Sequence, residues 1–227
     1  MPDVQTRLSQ LGIDHYSKES EELVESVRSM MSAKRMKVNN NQLAVTHTIF
    51  THVVVDHARK QIVSVPTGQG KSHIIAALIN MFTLYHGAET KFVVFYSSKT
   101  LLDGDKPKFD EARAVLAGVR YSVPANRRLI CKDTDIVIID EVDHVLIDMQ
   151  CNIDVFDASS KKDGRYRQSK KAPIIIGLTA TRLEELDEDE KLFLTRHHGF
   201  NYFSSTIPMS FSTVTIHRSV DEFVMMT

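Results

Sequence analysis

The stretch "VSVPTGQGKSHI" (Val63–Ile74) sets a glycine-bearing turn between two patterned runs. A β-rich run, QIVSV (61–65), leads in. A long apolar run, KSHIIAALINMFTLYHG (71–87), leads out and closes on Gly87, a helix-stop signal. Gly68 and Gly70 permit positive φ and let backbone N–H groups approach a phosphate. The N-terminus of the following helix adds partial positive charge. Thr67, Gly68, Gln69, Gly70, Lys71 and Ser72 thus form a candidate phosphate cradle. Lys71 is placed to reach β- and γ-phosphates, and the Ser72 hydroxyl to ligate Mg²⁺. One position departs from the general pattern G-x-x-x-x-G-K-[ST]: Val65 stands where the first glycine belongs. The alternative is a tight strand-to-helix turn with no ligand.

Outward from this turn, strands and helices alternate. KFVVFY (91–96), DIVIID (135–140) and APIIIGLT (172–179) read as buried strands, and TVTI (213–216) as a possible last one. PKFDEARAVLAG (107–118) reads as a helix, with Pro107 early and Gly118 past its end. Upstream, Leu23, Val24, Val27, Met30 and Met31 recur at helical spacing, and a second helical pattern runs from about Gln42 to His57. The alternation predicts an α/β domain: a central, mostly parallel sheet with helices on both faces. Ligands of such sheets bind at the carboxyl ends of the strands. Two polar segments interrupt the pattern and are expected to be exposed. DASSKKDGRYRQSKK (157–171) is basic and reads as a loop, and EELDEDE (184–190) is acidic.

Bulk properties exclude several classes. The chain has 227 residues, 42% hydrophobic and 25% charged, with a net charge of −1. That is ordinary for a soluble globular protein, and any nucleic-acid contact must come from a local patch. Cys131 and Cys151 lack metal-site or disulfide-framework spacing. The first residues lack the apolar core of a secretory signal, and no run approaches the about 20 apolar residues of a membrane helix. A soluble intracellular protein, in cytoplasm or nucleus, is the expectation. The ten histidines show no metal-ligand spacing, and His144 reads as a loop residue.

The second chemical segment is IVIIDEVDH (136–144), an apolar strand ending in two acids. Beside a phosphate loop, Asp140 would hold Mg²⁺, Glu141 would orient and deprotonate the attacking water, and Asp143 adds a polar group nearby. The alternative is a strand that runs into an exposed acidic turn.

Together these segments resemble superfamily 2 helicases and translocases of the DExD/H-box kind. Thr67 to Ser72 resembles motif I, Asp140-Glu141-Val142-Asp143 motif II, and GLTATR (177–182) motif III through Thr179-Ala180-Thr181. In that family the leading glycine is commonly replaced, so Val65 fits. The resemblance implies a RecA-like P-loop NTPase domain over residues 35–216 that binds ATP and Mg²⁺. Residues 1–34 would be a helical extension, and 217–227 a tail or the start of a linker. It implies that Gln42 contacts adenine and that Asp143, Thr179, Ala180 and Thr181 couple the nucleotide to movement. YSSKT (96–100) takes the place of motif Ia, so Ser98 and Lys99 would touch a bound strand. VPANRR (123–128) loosely resembles a further strand-contact segment, implicating Asn126 and Arg127.

Family members work with two RecA-like domains, the second supplying arginine fingers, and no such arginine motif follows residue 200. The chain is therefore expected to be the first motor domain of a longer protein, with RNA or DNA as partner. DEVDHVLID (140–148), RMKVNNNQLAV (35–45) and SKTLLDGD (98–105) are also similar to the preprotein-translocase motor SecA, which threads unfolded polypeptide. Too few residues separate Asp143 from Thr179 to hold that motor's large insertion. A third possibility is a nucleotide-binding interaction module without turnover.

Overall fold

The computed structural model describes residues 3–10, 17–113, 119–122, 128–162, 165–168 and 172–204. Helices α1 (Val4–Gln10), α2 (Lys18–Ala33) and α3 (Asn40–Val54) come first. Then follow β1 (Lys60–Ser64), α4 (Lys71–His86), β2 (Phe92–Phe95), α5 (Lys99–Arg113), β3 (Val119–Ser122), β4 (Arg128–Lys132) and β5 (Ile136–Asp140). A π-helical turn (His144–Asp148) precedes β6 (Asn152–Lys162), β7 (Arg165–Gln168) and β8 (Ile174–Thr179). A 3-10 turn (Leu183–Glu185), α6 (Glu188–Leu192), a second π-helical turn (Phe193–His197) and β9 (Asn201–Ser204) end the described chain.

Six strands form one sheet in the order β3-β2-β5-β8-β1-β9, and every pairing is parallel. Consecutive apolar residues in these strands face opposite sides, and both sides are buried. Val63, Phe92, Val94, Ile136, Ile138, Ile174 and Ile176 join one core with α1 to α4 and Phe109 of α5. Ile62, Val93, Phe95, Val137, Ile139 and Ile175 join a second. The second face is covered by Leu129 and Cys131 of β4, and by Val142, Val145, Leu146, Leu186 and Leu194 from the short helical turns and their flanks. Two buried faces explain the near-continuous apolar strands. The helix around Leu23 to Met31 is α2, started by Ser17, whose hydroxyl accepts from the Ser20 N–H at 3.2 Å. Its Val24, Val27 and Met31 enter the core shared with α3 and α4.

Several expectations need correction. The helix expected from Pro107 begins eight residues earlier in α5, at Lys99, and Pro107 lies inside it. Ser98 starts it: its hydroxyl accepts from Leu101 N–H at 3.3 Å and its carbonyl from Leu102 N–H at 3.1 Å. Gly118 lies outside the described residues. The helix expected to reach His57 stops at Val54, and His57 takes a φ of +56°. The basic segment expected as a loop lies largely in β6 and β7, an antiparallel pair with irregular register between Asp157 and Lys162. With β4 these make a second, three-stranded sheet. Strands β3, β4 and β9 were not expected. TVTI (213–216) lies outside the described residues. The acidic segment forms the 3-10 turn and α6, where Asp187 and Glu190 make a capping box. Its acidic side chains face solvent or its edge, and Leu186 alone of that run is buried.

Candidate functional site

In a parallel sheet all carboxyl ends lie along one edge. Here β8 lies between β5 and β1, so the segments after these three strands become neighbours. Val65 continues β1: its N–H donates to the Thr179 carbonyl at 2.7 Å, and it is 1% exposed. The position that departs from the general loop pattern is thus a buried sheet residue, where an apolar side chain contributes more than a glycine. The turn proper comes after it, with Gly68 at φ +80° and Gly70 at φ +77°. Gly70 caps α4 with no side-chain bond. The first N–H groups of a helix have no partner within it, and such an end suits an anion.

Gln42 braces this turn. Its Nε2 donates to the Gln69 carbonyl at 2.9 Å. Its Oε1 accepts from the Asn39 N–H at 3.0 Å, while Asn39 Oδ1 accepts from Gln42 N–H at 2.9 Å. A Cβ at Gly70 would fall 2.4 Å from Gln42 Nε2, so only glycine admits the brace. The residue expected to read adenine is therefore a buried strut between α3 and the loop.

Lys71 Nζ lies 4.0 Å from Glu141 Oε1. The Ser72 hydroxyl donates to Asp105 Oδ2 at 2.6 Å. The Ser97 hydroxyl donates to Glu141 Oε2 at 2.8 Å. Glu141 itself has φ +52°, a left-handed conformation that costs a non-glycine residue about 1–3 kcal/mol and concentrates at functional sites. Asp140 Oδ1 accepts the Glu141 N–H at 3.1 Å. Burial pushes the Asp140 carboxyl up to about 6; the Glu141 and Asp105 charges add to this, and Lys71 opposes it. Lys71 thus counters the negative charge that Glu141 and Asp105 bring to Asp140.

The third segment closes on the second. Thr181 Oγ1 donates to Asp143 Oδ2 at 2.5 Å, and its N–H donates to Thr179 Oγ1 at 3.0 Å. The Tyr202 hydroxyl of β9 donates to the Thr181 carbonyl. Gly177 of β8 lets Val142 lie against the strand: a Cβ there would meet the Val142 side chain at 2.7–2.8 Å. Ala180 is half-buried beside Thr181. Ser98 and Lys99 stand at the start of α5, and Lys99 is exposed. Asn126 and Arg127 lie outside the described residues. His144 is exposed and pairs with Asp148 at 2.7 Å, away from these contacts. Sequence reasoning missed Ser97, Asp105 and Tyr202. Ser97 is a neighbour of the expected Ser98; Asp105 carries no local signal.

The donor set fits Mg²⁺ with nucleotide. Ser72 Oγ and Asp140 offer only hard oxygens. Among the described residues no three acidic, histidine or cysteine side chains form a ready metal cage. Mg²⁺ takes one or two protein oxygens and completes its shell with phosphate and water, so none is required.

A six-stranded parallel sheet with a glycine-bearing strand-to-helix turn and an acidic strand end at one edge makes this an α/β domain of the RecA-like kind. The solved structure of the yeast DEAD-box splicing factor Prp28 is similar to it, with TM-score 0.53 at 13% identity over 84% of this chain and 50% of that one. That likeness is one of fold, and the chain spans about half the length of the structure it matches. No family model matches the chain, and no curated protein does. No helix among the described residues is long and apolar enough to cross a membrane.

Proposed function

We propose that the chain is the ATP-binding first motor domain of a DExD-box helicase or translocase acting on RNA or DNA. The observation that supports this most is the convergence of Lys71 and Ser72, after β1, with Asp140 and Glu141, at the end of β5, along one sheet edge. Lys71 and the α4 N-terminus would bind the β- and γ-phosphates. Thr67, Gly68, Gln69 and Gly70 would wrap the phosphates with backbone. Mg²⁺, held by Ser72 and Asp140, would offset charge on the transferred phosphoryl group. Glu141, kept in place by Ser97, would take a proton from the attacking water. Gln42 would meet adenine with the amide hydrogen its brace leaves over. Asp143 with Thr179, Ala180 and Thr181 would pass the state of the site to strand contacts at Ser98, Lys99, Asn126 and Arg127.

A second RecA-like domain in the full-length protein would complete the site with arginine, a contribution of about 10³–10⁵ in related phosphoryl-transfer sites. The test is ATP turnover by the full-length protein with RNA, DNA or unfolded polypeptide, beside Lys71→Ala. Stimulation by nucleic acid and its loss in the variant supports the proposal. Stimulation by polypeptide alone favours a protein-threading motor, and no turnover with any of them favours a binding module. Unchanged nucleotide affinity in Lys71→Ala would falsify the phosphate-loop assignment.

A further inference from the structure

We infer that Asp105, a residue of α5, is a positioning residue of the metal site: it accepts the Ser72 hydroxyl hydrogen bond, which leaves the lone pairs of the Ser72 oxygen free for Mg²⁺. This rests on the nucleotide reading above and deepens it. A serine hydroxyl has one proton and two lone pairs. A hydroxyl that ligates a metal does so through a lone pair, and its proton must point elsewhere. Here the proton goes to Asp105 Oδ2 at 2.6 Å, the length of a charge-assisted O–H···O⁻ bond. Asp105 is 9% exposed, so water competes weakly for that proton. Asp140, the carboxylate proposed to hold the metal, accepts the Glu141 N–H through Oδ1. The two acids thus divide the work: one faces the metal, the other orients its neighbouring ligand. Outer-shell partners of this kind change metal affinity by about 10–100-fold when removed.

The test measures binding of a fluorescent ATP analogue to the full chain, in EDTA and across a Mg²⁺ titration, for wild type and Asp105→Asn. Asparagine keeps the shape and removes the charged acceptor. The expected result is a split. Affinity in EDTA equals or exceeds that of wild type, because a negative charge near the phosphates is gone. The Mg²⁺ concentration that half-saturates the tightening rises about 10–100-fold. Asp105→Ser, a shorter side chain that also lacks the charge, gives the same split should the asparagine variant fold poorly. In a Ser72→Ala background Asp105→Asn causes no further rise in the half-saturating Mg²⁺ concentration, since Asp105 acts on the metal through that hydroxyl. A wild-type Mg²⁺ dependence in the Asp105 variants overturns the inference and leaves the nucleotide reading standing. Equal loss of affinity in EDTA and in Mg²⁺ also overturns it, marking Asp105 as a structural tie only. Failure of wild type to bind the analogue under either condition overturns the nucleotide reading and this inference with it.

Discussion

Glu141 sits at φ +52° with one carboxylate oxygen on the Ser97 hydroxyl and the other facing Lys71. A strained residue held on two sides is fixed in direction, and in the proposed reading its carboxylate serves the water that attacks the phosphate. Glu141→Gln keeps the shape and the Ser97 contact but cannot take a proton. Nucleotide affinity should stay within about twofold while single-turnover hydrolysis by the full-length protein falls about 10²–10⁴-fold, the usual weight of a general base. Equal rates in variant and wild type would remove Glu141 from the chemistry. His47 makes a separate residue-scale case. It is 2% exposed on α3, beside Phe50, and burial holds its imidazole down at about 4. Unfolded, it binds a proton near the ordinary value of about 6.5. Between those values the unfolded chain carries a proton that the folded one refuses, so stability falls as pH drops from about 6.5 to about 4 and is fully present above that window. His47→Phe should flatten this part of the stability–pH curve, measured by urea unfolding. An unchanged slope would place the acid sensitivity elsewhere. At this scale the sequence made Lys71, Ser72, Asp140 and Glu141 legible, because each lies next to its motif partners. Ser97, Asp105 and Tyr202 were not legible. Their contacts join segments far apart in the chain, and nothing local to a serine, an aspartate or a tyrosine names the partner.

Elements follow the same logic. Strands β1, β5 and β8 could be read because both faces of each are buried, which makes their apolar runs continuous. Strands β3 (VRYS), β4 (RLICK) and β9 (NYFS) mix polar and apolar residues, and pairing rather than composition defines them. The β6–β7 pair carries basic residues past its apolar start, so its cross-strand pairing outruns the pattern that would announce it. The start of α5 was hidden by Pro107, the best residue for a helix start, here in the helix interior. One element contact has a direct test. Gly177 in β8 gives Val142 its place in the turn after β5, and Val142 is fully buried. Gly177→Ala forces that side chain away and should cost about 1–3 kcal/mol, the range for overpacking a filled core. Shortening the opposing residue in the double variant Gly177→Ala/Val142→Ala should relieve the clash, so the two changes should not add. Additive losses in denaturant melts would show that the strand and the turn do not depend on this approach.

Across the whole molecule the loop between β1 and α4 is tied to further elements of the fold. Gln42 ties it to α3, Gly70 opens α4, Val65 hydrogen-bonds to the end of β8, and Ser72 reaches α5. A ligand that orders the loop therefore stabilises the cooperative unit and not a surface flap. Any ligand that binds only the folded state adds about 2.7 kcal/mol at a hundred times its dissociation constant. For a domain of this size each kcal/mol raises the melting temperature by about 2–4 °C. Saturating Mg²⁺ and ATP should then raise the melting temperature of the isolated chain by about 5–11 °C. Because stabilisation needs binding but no turnover, the shift should appear without any second domain, and Glu141→Gln should retain it. Lys71→Ala should lose it. A melting temperature indifferent to nucleotide in wild type would mean that the loop is only a turn between β1 and α4. A shift that survives in Lys71→Ala would move the nucleotide away from this sheet edge altogether.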